Sequence, residues 1–243
     1  IGSGAAIQVT NNTDNIAIGQ NAFAASVNDG DRNVAIGYQA MKTGDVSGAD
    51  NIAIGSNALD DLTSGNGNVA IGNTAGHDLT SGVGNILLGE GSGAEMTNNS
   101  YNIGIGYHAL FLTEGSPGNK NIAIGDAALG GADVAGSANY GIGTNAMTAL
   151  TSGNRNVAFG WNAAASLTTG AENIAIGPYT MQLGTVSGGK NIAIGIRALE
   201  DLSTGNHNVA IGSCAMLETE TGRLNIAIGS GYVRICKINI RIR

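Results

Sequence analysis

The sequence predicts an all-β solenoid of about thirteen coils, and three observations lead there: a repeat of 17 to 19 residues, period-two aliphatic patterning inside each repeat, and glycine at fixed repeat positions. The 243 residues include 40 glycines and only 4% aromatics, too few large side chains for a conventional globular core. Apolar residues reach 42% and charged residues only 12%, which also excludes an acidic disordered tail.

An asparagine opens each unit: Asn15, Asn33, Asn51, Asn68, Asn85, Asn102, Asn121, Asn139, Asn156, Asn173, Asn191, Asn208 and Asn225. From that residue the unit reads Asn, Ile or Val, Ala, Ile, Gly, two variable residues, Ala, and usually Leu or Met, as in Asn51 to Leu59. The repeat domain spans residues 15–233, after a lead-in segment or N-terminal cap over 1–14 and before a basic, strand-like tail over 234–243.

Each repeat column has a physical reading. Ile52 and Ile54 flank Ala53 on a period of two, the pattern of a short strand with β-branched residues on one face and a small residue on the other. Glycine follows at once, from Gly19 and Gly37 to Gly229, and argues for a turn and against a helix. Three residues before the Asn, eleven of thirteen copies have Gly, among them Gly30, Gly65, Gly153 and Gly205, while Asn12 and Asn99 are the exceptions. Asn tolerates a left-handed backbone best among the other residues, so this column predicts a positive-φ turn. Leu-Thr-Ser-Gly often precedes it, as at Leu62 to Gly65 and Leu150 to Gly153, and predicts a second short strand in each unit.

Two strands and two turns make one coil, and parallel stacking at about 4.8 Å gives a rod of roughly 60 Å. The repeating Asn is expected to form a ladder of side-chain amides bonded along the stack. Ile and Leu are expected to fill the coil, which turns the Ala column (Ala17, Ala35, Ala53, Ala70, with Gly104 and Gly141 as smaller variants) outward as a strip for self-association. These residues do not fix the number of copies.

The copies Asn33 to Gly37 and Asn208 to Gly212, each Asn-Val-Ala-Ile-Gly, resemble the head repeats of YadA-like trimeric autotransporter adhesins. Asn33 to Met41, with Tyr38 and Ala40, is similar to the longer repeats of phage and prophage tail fibres. The resemblance covers about nine-tenths of the chain and implies a left-handed parallel β-roll that forms a homotrimer. It further implies an extracellular place, on a cell surface or virion, and a role in attachment to a host-surface receptor or glycan. The coil is longer than in the adhesins, which tilts the comparison toward the phage type.

Composition narrows the chemistry. The net charge is −7, and because Arg234, Lys237, Arg241 and Arg243 lie in the tail, residues 1–233 have seven basic against eighteen acidic residues. Such a body repels phosphate backbones, so nucleic acid is excluded as a partner. Cys214 and Cys236 lack metal-ligand spacing, and no run of 18 apolar residues predicts a membrane span. His77, His108 and His207 fall at different repeat positions, and Asp60, Asp61, Asp78, Glu90 and Glu95 drift among columns, so neither a catalytic centre nor a metal site is expected. Stepping by six from Ile18 meets Ala24, Gly30 and Ile36, which disfavours the hexapeptide acyltransferases. No Gly-Lys-Ser or Gly-Lys-Thr accompanies the glycines, so no phosphate loop is expected and no cofactor is predicted.

Tyr38, Tyr107 and Trp161 share the slot after the strand-ending glycine and are the candidates for exposed aromatic contacts. The expected function is a non-enzymatic trimeric fibre or adhesin module that serves attachment as a rigid rod. The alternative is a self-assembling extracellular filament, joined end to end, with no dedicated receptor. The tail, alternating Ile with Asn or Arg from Ile238 to Arg243, is expected to cap the last open edge of the stack, the alternative being a connector that docks onto an acidic neighbour in a longer fibre.

Overall fold

A computed structural model of the chain describes residues 1–6, 13–24, 30–43, 45–111, 118–131 and 134–231. Asn12, Cys236 and the tail over 234–243 lie outside the described residues, as does part of the segment over 1–14. The chain divides into two compact units, Ile1–Lys120 and Asn121–Arg243. The first stacks β1 (Ile16–Ile18), β2 (Val34–Ile36), β3 (Ile52–Ile54), β4 (Val69–Ile71), β5 (Ile86–Leu88) and β6 (Ile103–Ile105). The second stacks β7 (Ile122–Ile124), β8 (Tyr140–Ile142), β9 (Val157–Phe159), β10 (Ile174–Ile176), β11 (Ile192–Ile194), β12 (Val209–Ile211) and β13 (Ile226–Ile228).

Within each unit every coil contributes one strand, and consecutive strands pair in parallel. Ala53 faces Ala35 on one side and Ala70 on the other, so the repeat columns become physical rows. Each unit is thus an all-β parallel solenoid.

The two strand faces are the reverse of the expectation. Ala35, Ala53, Ala70, Ala123, Ala158, Ala175, Ala193 and Ala210 are fully buried inside the coil. The flanking residues point outward: most, such as Ile52 and Ile54, are half-buried, and Ile16, Ile71, Phe159 and Ile228 are exposed. The interior is narrow, and its bulk comes from the opposite limb: Phe23, Met41, Leu59, Leu62, Leu110, Leu129, Met147 and Leu150 are buried there. Only a methyl group fits on the strand side once those chains are in place.

That opposite limb is not the second strand anticipated. Among the described residues it forms turns, with isolated bridges at Leu167 and Val186 and at Asn206 and Arg223. Left-handed residues recur along it, such as Asn57 at φ 54° and Leu59 at φ 49°. The Asn57 N–H donates to Tyr38 in the coil before at 2.8 Å, and the Leu59 N–H to Ala75 in the coil after at 3.0 Å. Each left-handed step, a cost of about 1–2 kcal/mol for a non-glycine residue, turns a peptide group along the stack where it finds a partner.

The glycine column before the Asn also has a different cause. Gly30, Gly65, Gly153 and Gly205 have no left-handed φ. A Cβ on Gly65 would run into the Gly82 carbonyl of the next coil and approach Leu62 Cδ1 to 2.8 Å and Asn68 Nδ2 to 2.9 Å. Close approach of coils selects glycine there, while the positive φ falls two residues later, on Arg32, Asp50, Arg155 and Glu172. The strand-ending glycines do need both properties: Gly55 has φ +143° and packs on the Gly72 backbone.

Candidate functional site

The outward strand face is held in place by the asparagines. The Asn68 backbone N–H and Nδ2 both donate to Asn51 Oδ1, at 2.9 and 3.1 Å, and Nδ2 donates again to the Gly82 carbonyl at 2.8 Å. Asn85 repeats this on Asn68, and Asn102 on Asn85. In the second unit the same ladder climbs from Asn121 through Asn139, Asn156, Asn173, Asn191 and Asn208 to Asn225. In the first unit it starts where the Asn33 N–H donates to Asn15 Oδ1. Asn33 and the later members are buried, and in Asn51 and Asn68 both amide hydrogens and the amide oxygen are used, so each coil is locked to its neighbour at the residue before the strand.

Beyond that lock lie two outward rows. One runs Ile16, Val34, Ile52, Val69, Ile86 and Ile103, the other Ile18, Ile36, Ile54, Ile71, Leu88 and Ile105, and the second unit continues the pattern from Ile122 and Ile124 to Ile226 and Ile228. No position in either row holds a charge, and the only hydroxyl is on Tyr140. A solvent-facing sheet normally places polar residues on its outer face, so two aliphatic rows in every coil make a contiguous apolar patch.

Tyr38, Tyr107 and Trp161 are about half exposed, at 48%, 51% and 53%. Tyr38 and Tyr107 are not brought together: Ser56, Asn73 and Glu90 occupy the coils between them, which puts the two about 19 Å apart at one strand spacing per coil. Tyr107 stacks on His108 with ring centres 3.9 Å apart, and Trp161 packs on Tyr179 at 5.0 Å. Tyr179 escaped the sequence reading because it lies one position beyond the shared slot.

The three histidines fall in different repeat columns, and His77 has acidic company. Counted from the coil-opening Asn, Asp61, Asp78 and Glu95 share one column and Asp60 and His77 the column before it, so these carboxylates do not all drift as expected. His77 Nδ1 is hydrogen-bonded to Asp78 Oδ1, and His77 Nε2 lies 3.8 Å from Asp60 Oδ2. Burial pushes the Asp61 carboxyl up from its ordinary value, against the attraction of His77. Elsewhere the turn edge has exposed ion pairs: Arg32 Nε and Nη2 donate to Asp50 at 2.6 and 2.8 Å, and Arg155 Nη2 to Glu172 at 2.5 Å. Hydrogen bonding from the guanidinium holds Asp50 and Glu172 below the usual carboxylate range. Among the described residues no helix is long and apolar enough to cross a membrane.

Neither a protein-family model nor a curated protein matches this chain. The class its geometry defines is a parallel β-solenoid with an internal asparagine ladder and an uncharged aliphatic outer face.

Proposed function

We propose that this chain is a non-enzymatic, self-associating fibre or adhesin module whose outward aliphatic face is the contact between copies. The observation behind this reading is the pair of charge-free, mostly Ile and Val rows, repeated in every coil and half-buried to exposed. Covering them is worth roughly 25 cal/mol for each Å² of apolar surface, and identical rows on identical chains match in spacing by construction. The resemblance to YadA-like heads and phage tail fibres supports three copies, a left-handed roll, and an extracellular place on a cell surface or virion. In that setting the assembly is an attachment or spacer element, and the half-exposed Tyr38, Tyr107 and Trp161 are candidates for touching a receptor or glycan.

Electron microscopy of the purified chain combined with its mass in solution tests this. Discrete three-chain particles are expected. Indefinite filaments would instead favour a structural polymer without a receptor, and compact single chains would overturn both readings.

A further inference from the structure

The cluster around His77 stands out when it is compared with the same repeat positions in the second unit. There, Glu200, Asp201 and Glu218 occupy the positions of Asp60, Asp61 and Asp78, and Leu217 replaces His77. The charge of the buried Glu200 is met by a cation on its own coil: Arg197 Nε donates to Glu200 Oε2 at 2.7 Å. In the first unit the position of Arg197 is taken by Asn57, which brings no charge. Its Oδ1 is buried and has no hydrogen-bond partner among the described residues.

The first cluster is therefore acidic, partly buried and without the internal arginine. Asp60 is 7% exposed, and Thr43 Oγ1 holds its Oδ1 at 2.9 Å while its Oδ2 faces the imidazole. The 3.8 Å between Asp60 Oδ2 and His77 Nε2 is too long for a hydrogen bond. Two ligands bound to one ion at about 2.0–2.2 Å each are spaced on this order. Asp61, His77 and Asp78 each present a ligand atom, all within 4.8 Å of one another. The bond from Nδ1 to Asp78 fixes the ring and leaves Nε2 free to coordinate, the arrangement in which a carboxylate orients a metal-binding histidine.

We propose that Asp60, Asp61 and His77, with Asp78 orienting the imidazole from Nδ1, form a binding site for one divalent transition-metal ion of the Zn²⁺ type, seated between two adjacent coils. One imidazole among carboxylates suits such an ion better than Ca²⁺ or Mg²⁺, which take oxygen ligands alone. Because the ligands come from consecutive coils, the ion ties those coils together on the turn limb, where no strand pairing does so.

The test is calorimetric titration of Zn²⁺ into chelator-stripped full-length chain, with Co²⁺ absorption as a second readout. One saturable site per chain is expected, together with d–d bands of bound Co²⁺ and a rise in melting temperature on adding Zn²⁺. Affinity should fall at least tenfold in His77→Gln and in Asp61→Asn, and should be unchanged in His207→Gln and in Asp201→Asn. His77 is one-third exposed, so its variant is expected to fold, which circular dichroism checks. The proposal is overturned by absence of saturable binding, or by binding that survives both His77→Gln and Asp61→Asn.

Discussion

The coil that opens at Asn51 and the coil that opens at Asn85 enclose a similar interior with the side chains exchanged between limbs. In the first, Ala53 is the inward strand residue and Leu59 fills the core from the turn limb, both fully buried. In the second, Leu87 is the inward strand residue, and the place equivalent to Leu59 is Gly93. The intervening coil also has glycine there, Gly76. A Cβ on Gly93 would lie 2.7 Å from Leu87 Cδ2, and one on Gly76 would lie 2.9 Å from Leu87 Cδ1. One leucine on the strand side thus occupies the room that two glycines leave on the other. The difference teaches that the solenoid conserves interior volume across coils and not the residue at any one column.

Breaking this exchange is expected to have the largest effect. Leu87→Ala should cost about 4 kcal/mol, toward the upper end for a buried leucine, because both facing positions are glycine and the hole has little to collapse around it. Gly93→Leu alone should cost about 3 kcal/mol through overpacking against Leu87. Leu110 at φ 55° occupies the same column that Gly93 occupies at φ +61°, so the backbone accepts leucine there. The double variant Leu87→Ala with Gly93→Leu should therefore recover to within about 1 kcal/mol of wild type, a coupling that a double-mutant cycle in urea reads directly. Additive losses would refute volume exchange.

The asparagine ladder sharpens the comparison, because it is common to both coils. Asn68→Ala and Asn85→Ala should each cost about 2–3 kcal/mol by stranding a carbonyl and an N–H, whatever fills the core beside them. Chemical denaturation of the two variants checks that equality. The smallest effect belongs to the turn edge. Asp50 and Glu172 have folded pKa values below their unfolded ones, so they stabilise the fold above the ordinary carboxylate range and lose that contribution as the pH falls through it. Both are exposed and screened by salt, so only a shallow acid-side drop in melting temperature is expected, and it should become shallower in Asp50→Asn with Glu172→Gln, leaving the part due to Asp31, whose carboxyl the Thr13 N–H holds low.

The repeat length, the strand position and the strand-ending glycines could be read from the sequence because each leaves its mark at every coil. The asparagine spacing likewise places the amides in line once the coils are in register. The facing of the strand was misread because period-two patterning gives two faces and does not say which is inside. Ala inward and Ile outward is decided by the bulk of Leu59 or Met147 across the coil, a property of two limbs together. Left-handed leucines and methionines such as Leu59 and Met181 were invisible because local sterics disfavour them, and coil-to-coil hydrogen bonding overrides that preference. The His77 cluster emerges only when the carboxylates of two consecutive 17-residue coils are laid in register.

Sedimentation equilibrium of the wild-type chain beside Ile54→Lys with Ile71→Lys tests most directly whether the outward aliphatic rows join copies. The wild type is predicted to sediment at three times its 24.2 kDa chain mass, and the variant at the mass of a single chain with an unchanged circular dichroism spectrum. A single-chain wild type at micromolar concentration, or a variant whose assembly is unaltered, would contradict the assignment of that face.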